Sequence, residues 1–200
     1  MKTRREKRMK ELSAELLTCL GQAAPGDDDE IFAALGGILT GLRGRPVVLK
    51  RTTFPPGTAS GLWLDLEDMD IVAVRDDTTN SEHEHVILGH EIWHMFEGHC
   101  GAHIPAGRAA ARAHSFHAGA VDDVVRRLLA SRDTRLGGLG EPQLGVAART
   151  RFDDRHEAEA EMFGLRLGTD LRAFRRTHWR ADLGQVAGRI EDSLGRGLWV

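Results

Sequence analysis

The stretch from His85 to Glu97 reads HVILGHEIWHMFE and contains the pattern H-E-x-x-H between His90 and His94. Residues four apart on a helix lie above one another on the same face, so the two imidazole rings can bind one zinc ion. Glu91 projects about 100° round the helix axis from His90, where its carboxylate can reach a water on the metal but is poorly placed to be a ligand. The motif therefore predicts a metal-hydrolase site, with His90 and His94 as ligands and Glu91 as the base.

Apolar residues at helical spacing show which side of this stretch is buried. Leu88, Ile92, Met95 and Phe96 form a stripe opposite the two histidines, so the predicted helix has one buried side and one polar edge suited to a metal. A pattern this short also arises by chance, as two surface histidines flanking a glutamate. The stripe favours the metal site, because it places the helix against a core with the histidines along its edge.

The composition is that of a globular protein without a membrane or nucleic-acid signature. The 200 residues suffice for one domain with a sizeable core, and 41% are hydrophobic and 28% charged. The net charge of −3 gives no basic field, so direct nucleic-acid binding is not expected.

Cys19 and Cys100 are too few for a disulfide framework and fit a reducing compartment. Glu11 and Glu15 interrupt what would be the apolar run of a signal peptide, and no stretch approaches the roughly 18 apolar residues of a membrane span. A cytoplasmic protein is predicted.

The first 80 residues predict two helices followed by a small sheet. A helix over residues 5–20 places its leucines on one face, with the basic residues of the first ten positions on its solvated side. A second helix begins at an acidic turn over 27–30 and ends near Thr40. The predicted strands are residues 46–52, 62–66 and 71–74. We expect them to form a small, mostly antiparallel sheet that a later strand extends at its edge.

The rest of the chain predicts further helices around the motif. The motif helix is expected to begin at Ser81 as N-cap and to end at Gly98. The later segments are a surface loop (102–120, with a mobile lid as the alternative), a short helix (121–131), a glycine-rich linker (132–150) and two helices (152–176 and 181–194). The order of elements predicts an α+β fold, in which N-terminal helices (1–44) pack on the remainder (45–200) as a single structural domain.

A third metal ligand must come from outside the motif, because a catalytic zinc usually takes three protein ligands and keeps one position for water. In metzincins that ligand is a histidine six residues after the second motif histidine, with a glycine three residues after it. Here those positions are Cys100 and Glu97. His99 is displaced by one residue and lies at the end of the helix, where a cation is favourable. The metzincin pattern is therefore not present.

A second helix offers an acidic ligand instead. Residues 156–164 read HEAEAEMFG, and Glu157 and Glu161 lie four apart on one edge of its apolar face. Beside them Ala160 and Gly164 are small, so another helix can approach closely. Glu159 lies on the far edge. We predict Glu157 as the third ligand and Glu161 as a residue that holds a histidine ring by a hydrogen bond. The alternative is a solvated acidic helix start.

With both helices in view, the chain resembles the ImmA/IrrE-like metallopeptidases. That family combines an H-E-x-x-H helix with a downstream helix reading roughly E-x-E/Q-A-x-x-F-A. Residues 157–164 match this pattern, with Gly164 where alanine is usual. The first glutamate of the pattern is the family's third zinc ligand, which corresponds to Glu157. The resemblance covers about residues 45–170, and Leu165 to Gly168 stand where the family usually has Leu-Leu-Met-Pro.

The resemblance implies a minimal zincin-like fold over residues 45–200, with Zn²⁺ as cofactor. The segments 61–64 and 85–91 look like a branch that is often encoded beside helix-turn-helix regulators, some of whose members are labelled toxin components or regulatory proteins. A helix-turn-helix transcriptional regulator is therefore the implied partner and protein substrate. The first functional hypothesis is a zinc endopeptidase that hydrolyses this regulator. The second is a regulatory or toxin component that keeps the fold and acts by binding. A third, DNA binding through the basic start of the chain, lacks a helix-turn-helix signal.

Peptide hydrolysis at such a site also needs a donor for the developing oxyanion. Many zinc peptidases use tyrosine, and this chain has none. The donor must then be a histidine or an arginine. The candidates are His156, Arg155, His103, His114 and His117. Of the remaining histidines, His83 lies two turns before the ligands and is too far away, His85 is expected to be a satisfied core histidine, and His178 a surface residue.

Overall fold

The computed structural model describes residues 4–57, 59–78, 80–98, 103–104, 107–113, 118–130 and 154–195. In chain order the helices are α1 (Arg4–Ala23), α2 (Asp28–Arg43), α3 (Ser81–Glu97), α4 (Ala118–Ala130) and α5 (Asp154–Gly195). The strands are β1 (Val47–Thr52), β2 (Ala59–Leu66), β3 (Asp70–Arg75), β4 (His103–Ile104) and β5 (Gly107–Ala113). The prediction of an α+β fold is confirmed.

The strands form one sheet in the order β1-β3-β2-β5-β4. β1 and β3 are parallel, and the other three pairings are antiparallel, as expected of a mostly antiparallel sheet. β3 lies between β1 and β2 and is buried on both faces. This burial explains its continuous β-branched run, which is typical of a strand covered on both sides.

Side-chain alternation along β2 separates two apolar layers. Trp63 lies on one face of the sheet, in a large core formed with residues of α1, α2, α3 and α5. Leu62 and Leu64 lie on the other face, in a smaller core that includes Val124 and Leu128 of α4. Leu62 and Leu64 share this face because side chains two residues apart on a strand point to the same side. The larger core is the layer that holds the motif helix against the sheet.

A buried carboxylate ties the sheet to the end of α2. Asp70 is fully buried and accepts hydrogen bonds from Arg45 Nη2 at 2.7 Å, Arg43 Nε at 3.0 Å and Trp63 Nε1 at 2.8 Å. Burial alone would raise the pKa of Asp70, but these donors outweigh it and hold the pKa below its usual range. The carboxylate is therefore ionised at neutral pH, and its stabilising effect is lost only as the pH falls through the lowered pKa.

Three local predictions are wrong. The N-cap of α3 is Asn80, whose side chain accepts from Glu82 N at 2.9 Å, so Ser81 is already helical. The two helices predicted over 152–176 and 181–194 form one helix, because residues 177–180 contain no glycine or proline that would end it. The segment predicted as a loop over 102–120 contains β4, β5 and the start of α4. Gly98 ends α3 in the left-handed conformation, with φ 66°, as expected.

The remaining predictions have mixed outcomes. The linker predicted over 132–150 lies outside the described residues, as do Cys100, His99, His114 and His117. The helix predicted at 121–131 is confirmed as α4, although it begins three residues earlier. In the part of the chain that the structure describes, no helix combines the length and apolar character required to cross a membrane.

Candidate metal centre

Three side chains from two helices converge on one point. His90 and His94 of α3 and Glu157 of α5 each offer a ligand atom, and these atoms all lie within 4.8 Å of one another. The two Nε2 atoms are 3.0 Å apart, His94 Nε2 is 3.2 Å from Glu157 Oε1, and His90 Nε2 is 3.5 Å from Glu157 Oε2. The group could hold a metal ion.

The spacing of these donor atoms fits a tetrahedral ion. Ligand atoms about 2.0–2.1 Å from a tetrahedral zinc lie roughly 3.3–3.4 Å from one another. The contacts between the three side chains, at 3.0, 3.2 and 3.5 Å, are close to that value, with His94 next to Oε1 of Glu157 and His90 next to its Oε2. Two imidazole nitrogens and one carboxylate oxygen are also a donor set that zinc accepts in catalytic sites, with the fourth position left for water.

The side chains of the metal centre differ in their exposure to solvent. His90, Glu91 and His94 are each 1% exposed, whereas the side chain of Glu157 is 31% exposed. The sequence predicted that α3 is buried on its apolar side only. Its central residues are also buried on the side that carries the histidines. Glu157 is therefore the most exposed member of the group.

Glycines allow the two ligand-bearing helices to touch backbone to backbone. A Cβ added to Gly164 of α5 would lie 2.5 Å from Val86 O and 3.2 Å from His90 N. On the α3 side, a Cβ on Gly89 would lie 2.9 Å from Gly164 Cα. The close approach predicted from the small residues beside Glu157 is confirmed. It brings the glutamate of α5 to the histidines of α3.

The carboxylate of Glu91 lies against β2. A Cβ built on Gly61 would be 2.7 Å from Glu91 Oε1, so the strand offers this side chain a space that only glycine leaves. Glu91 is not a member of the three-residue ligand group. The role of Glu91 as the base stays a prediction.

The residues predicted to support the ligands lie around the start of α5. Glu161 is exposed one turn after Glu157, and His156 is half-buried. Arg155 is exposed and its Nε lies 3.1 Å from Glu159 Oε1. The side chain of His103 lies outside the described residues. The oxyanion donor and the role of Glu161 therefore stay predictions.

Glu159 lies on the side of α5 away from the ligand group, as predicted. It is 7% exposed, and both Arg5 of α1 and Arg155 donate to its carboxylate. Burial acts to raise the pKa of Glu159, but the hydrogen bonds from Arg5 and Arg155 outweigh it and lower the pKa. The contact with Arg5 was not foreseen, because the basic residues of α1 were expected to be solvated.

Alanine substitutions at Glu157 and Glu159 distinguish a metal ligand from a residue that supports the helix. Glu157→Ala is expected to weaken zinc binding by more than the ~10–100-fold typical of a residue that only supports a ligand, because it removes one of three ligands. Glu159→Ala should cause a smaller loss, since Glu159 faces α1. Zinc affinity measured by competition with a chelator checks this prediction. A larger loss from Glu159→Ala would show that the ligand is misassigned.

The imidazole of His85 is buried in the core. It is 1% exposed, which confirms the predicted core position, but neither ring nitrogen has a hydrogen-bond partner in the described part of the chain. The expectation of a satisfied histidine is therefore wrong. Burial lowers the pKa of His85; Asp28 and Glu84 act to raise it, and Arg175 and Arg51 to lower it further.

This lowered pKa predicts acid sensitivity. As the pH falls below the ordinary value of 6.5, the unfolded chain takes up a proton that folded His85 does not. The contribution of His85 to the free energy of unfolding is therefore fully retained above that pH and falls below it, by up to about 1.4 kcal/mol per pH unit. Urea unfolding at about pH 7.5 and about pH 5.5 should show a smaller loss for His85→Leu than for the wild type. An equal loss of unfolding free energy in both proteins would show that His85 does not cause the acid sensitivity.

Comparison of the chain with protein-family models, with curated proteins and with solved structures gives no match.

Proposed function

We propose that the chain is a zinc-dependent endopeptidase with a zincin-like fold, in which His90, His94 and Glu157 hold the metal. The observation that carries the proposal is the convergence of two buried imidazoles of α3 and one carboxylate of α5, whose ligand atoms lie within 4.8 Å of one another. When bound there, zinc supplies Lewis-acid polarisation of a peptide carbonyl and a water that ionises near neutral pH.

Each neighbouring residue has a defined task in this reaction. Glu91 accepts the proton of the attacking water and passes it to the leaving amine nitrogen. Its burial against Gly61 fixes the carboxylate and excludes bulk water from it. The peptide approaches from the more exposed side, beside Glu157 and the start of α5. His156 and Arg155, on that helix, are the candidates that could donate to the oxyanion.

The proposed substrate is a helix-turn-helix transcriptional regulator. This part of the proposal rests on the sequence resemblance to ImmA/IrrE-like metallopeptidases. The alternative from the same resemblance is a regulatory or toxin component that binds the regulator without cleaving it. The intact set of three ligands and one base favours the peptidase, because binding alone does not require a buried glutamate beside two histidines.

Co-expression with a candidate helix-turn-helix regulator tests the proposed function. The regulator is followed on a gel, and its repressor activity is followed on a reporter. The wild type should fragment the regulator and relieve repression, whereas the metal-free variant His90→Ala/His94→Ala should do neither. If both proteins relieve repression while the regulator stays intact, the chain acts by binding and the peptidase assignment is wrong.

A further inference from the structure

Glu157 lies in the first turn of α5, where the helix is stabilised by fewer of its own hydrogen bonds. It is the fourth residue of α5, whose first residue is Asp154. The first N–H groups of a helix have no partner within it, so the first turn tends to fray unless side chains hold it. A ligand in that turn keeps its position only if the start of the helix is anchored.

The anchor is on the opposite side of α5. Residues two apart on a helix project roughly 200° apart, so Glu159 faces α1 while Glu157 faces the histidines. The side chain of Glu159 is 9% exposed and that of Arg5, which donates to it, is 37% exposed. The start of α5 is thus held between α1 and α3. Loss of Arg5 would remove one of the donors to a largely buried carboxylate, which is costly.

Helix α1 also contacts α3, the helix that carries the two histidines. Arg8 of α1, three residues after Arg5, places its Nε 2.6 Å from Glu97 Oε1, near the end of the motif helix. These side chains are more exposed, at 55% and 17%, so this pair contributes less. Further along α1, the hydroxyl of Ser13 donates to Asp170 at 2.6 Å. One face of α1 therefore contacts both helices that supply the ligands.

We propose that Arg5 is a positioning residue for the metal centre, which holds Glu159 and so places the carboxylate of Glu157 against His90 and His94. The N-terminal helix then contributes to metal affinity without touching the metal. The proposal rests on the proposed function only for the metal centre, and it does not depend on peptide cleavage.

Zinc affinity of single variants tests this role. Arg5→Ala should weaken zinc binding about tenfold, at the lower end of the range for residues that support a ligand. Lys7→Ala is the matched control, because Lys7 pairs with Glu11 on the surface of α1, where their side chains are 75% and 63% exposed. It should bind zinc like the wild type. Ser13→Ala should lower the melting temperature and leave zinc affinity unchanged, which separates positioning from general stability.

A double-mutant cycle gives the sharper result. Arg5→Ala and Glu159→Gln should each weaken zinc binding, and the double variant should lose no more than the worse single variant, because both remove the same contact. Arg5→Lys keeps the charge and should recover most of the affinity. It also keeps the test open if Arg5→Ala does not fold.

Two outcomes would overturn the proposal. One is zinc affinity in Arg5→Ala equal to that of the wild type, and the other is a double variant whose losses multiply. A wild-type chain that binds no zinc removes the metal centre and this proposal with it. A chain that binds zinc, loses affinity in Arg5→Ala and cleaves nothing supports the role of Arg5 and removes only the peptidase assignment.

Discussion

Glu91→Gln is expected to leave the protein folded and loaded with zinc while it slows peptide hydrolysis by about 10²–10⁴-fold. Glutamine has the shape of glutamate and fits the same space against Gly61, but it cannot accept a proton at neutral pH. Zinc binding should persist because Glu91 lies outside the ligand group of His90, His94 and Glu157. The measurements are zinc content and the rate at which the proposed substrate, a helix-turn-helix regulator, is cleaved.

Glu84→Gln is the matched control for this substitution. Glu84 lies on the same helix and is 7% exposed, and its carboxylate accepts two hydrogen bonds from Arg51 at 2.9 and 3.0 Å. Its replacement should reduce stability and leave the cleavage rate of the folded protein unchanged. Equal cleavage rates in Glu91→Gln and the wild type would show that Glu91 is not the base. Loss of zinc from Glu91→Gln would make it a ligand instead.

Gly164→Ala is expected to separate the two ligand-bearing helices and to abolish tight zinc binding. The new methyl group would meet the carbonyl oxygen of Val86 at 2.5 Å, and a backbone oxygen cannot turn away as a flexible side chain can. Ordinary contact requires a shift of roughly 1 Å. Because zinc–ligand distances tolerate only about 0.2 Å, such a shift takes Glu157 out of the ligand group.

The free energy of unfolding should fall as well. Overpacking of a tight core costs about 1–3 kcal/mol, which outweighs the roughly 1 kcal/mol that alanine gains over glycine in a helix. Gly37→Ala is the control, because a Cβ there meets nothing within 4 Å, so the same exchange in α2 should stabilise the protein. If Gly164→Ala binds zinc like the wild type, the backbone contact between α3 and α5 does not set the position of Glu157.

The candidate site was largely predictable because its signals are local. The spacing of His90 and His94 follows from helical geometry, and the small residues beside Glu157 mark a surface that another helix can approach. The motif helix supplies only two ligands, and the later helix carries Glu157 on the edge of its apolar face. These two observations are sufficient to predict the group of His90, His94 and Glu157. The structure places these three residues together without correction.

Features set by distant pairing were not predictable. Arg5 and Glu159 are 154 residues apart, and nothing near either of them in the sequence identifies the other. β5 is an alanine-rich segment without alternation, and it is a strand because β2 has an edge that its backbone can pair with. His85 could be placed in the core from its spacing, whereas the absence of a partner for its ring among the described residues depends on every element around it.

Elemental analysis of the purified chain tests the metal centre most directly. The wild type should contain about one zinc ion per chain, since three protein ligands form a single site. His90→Ala/His94→Ala should contain none, while Glu159→Ala, prepared in the same way, should stay folded and retain a measurable fraction. Zinc in the double variant at the level of the wild type would contradict the assignment of the metal to His90, His94 and Glu157.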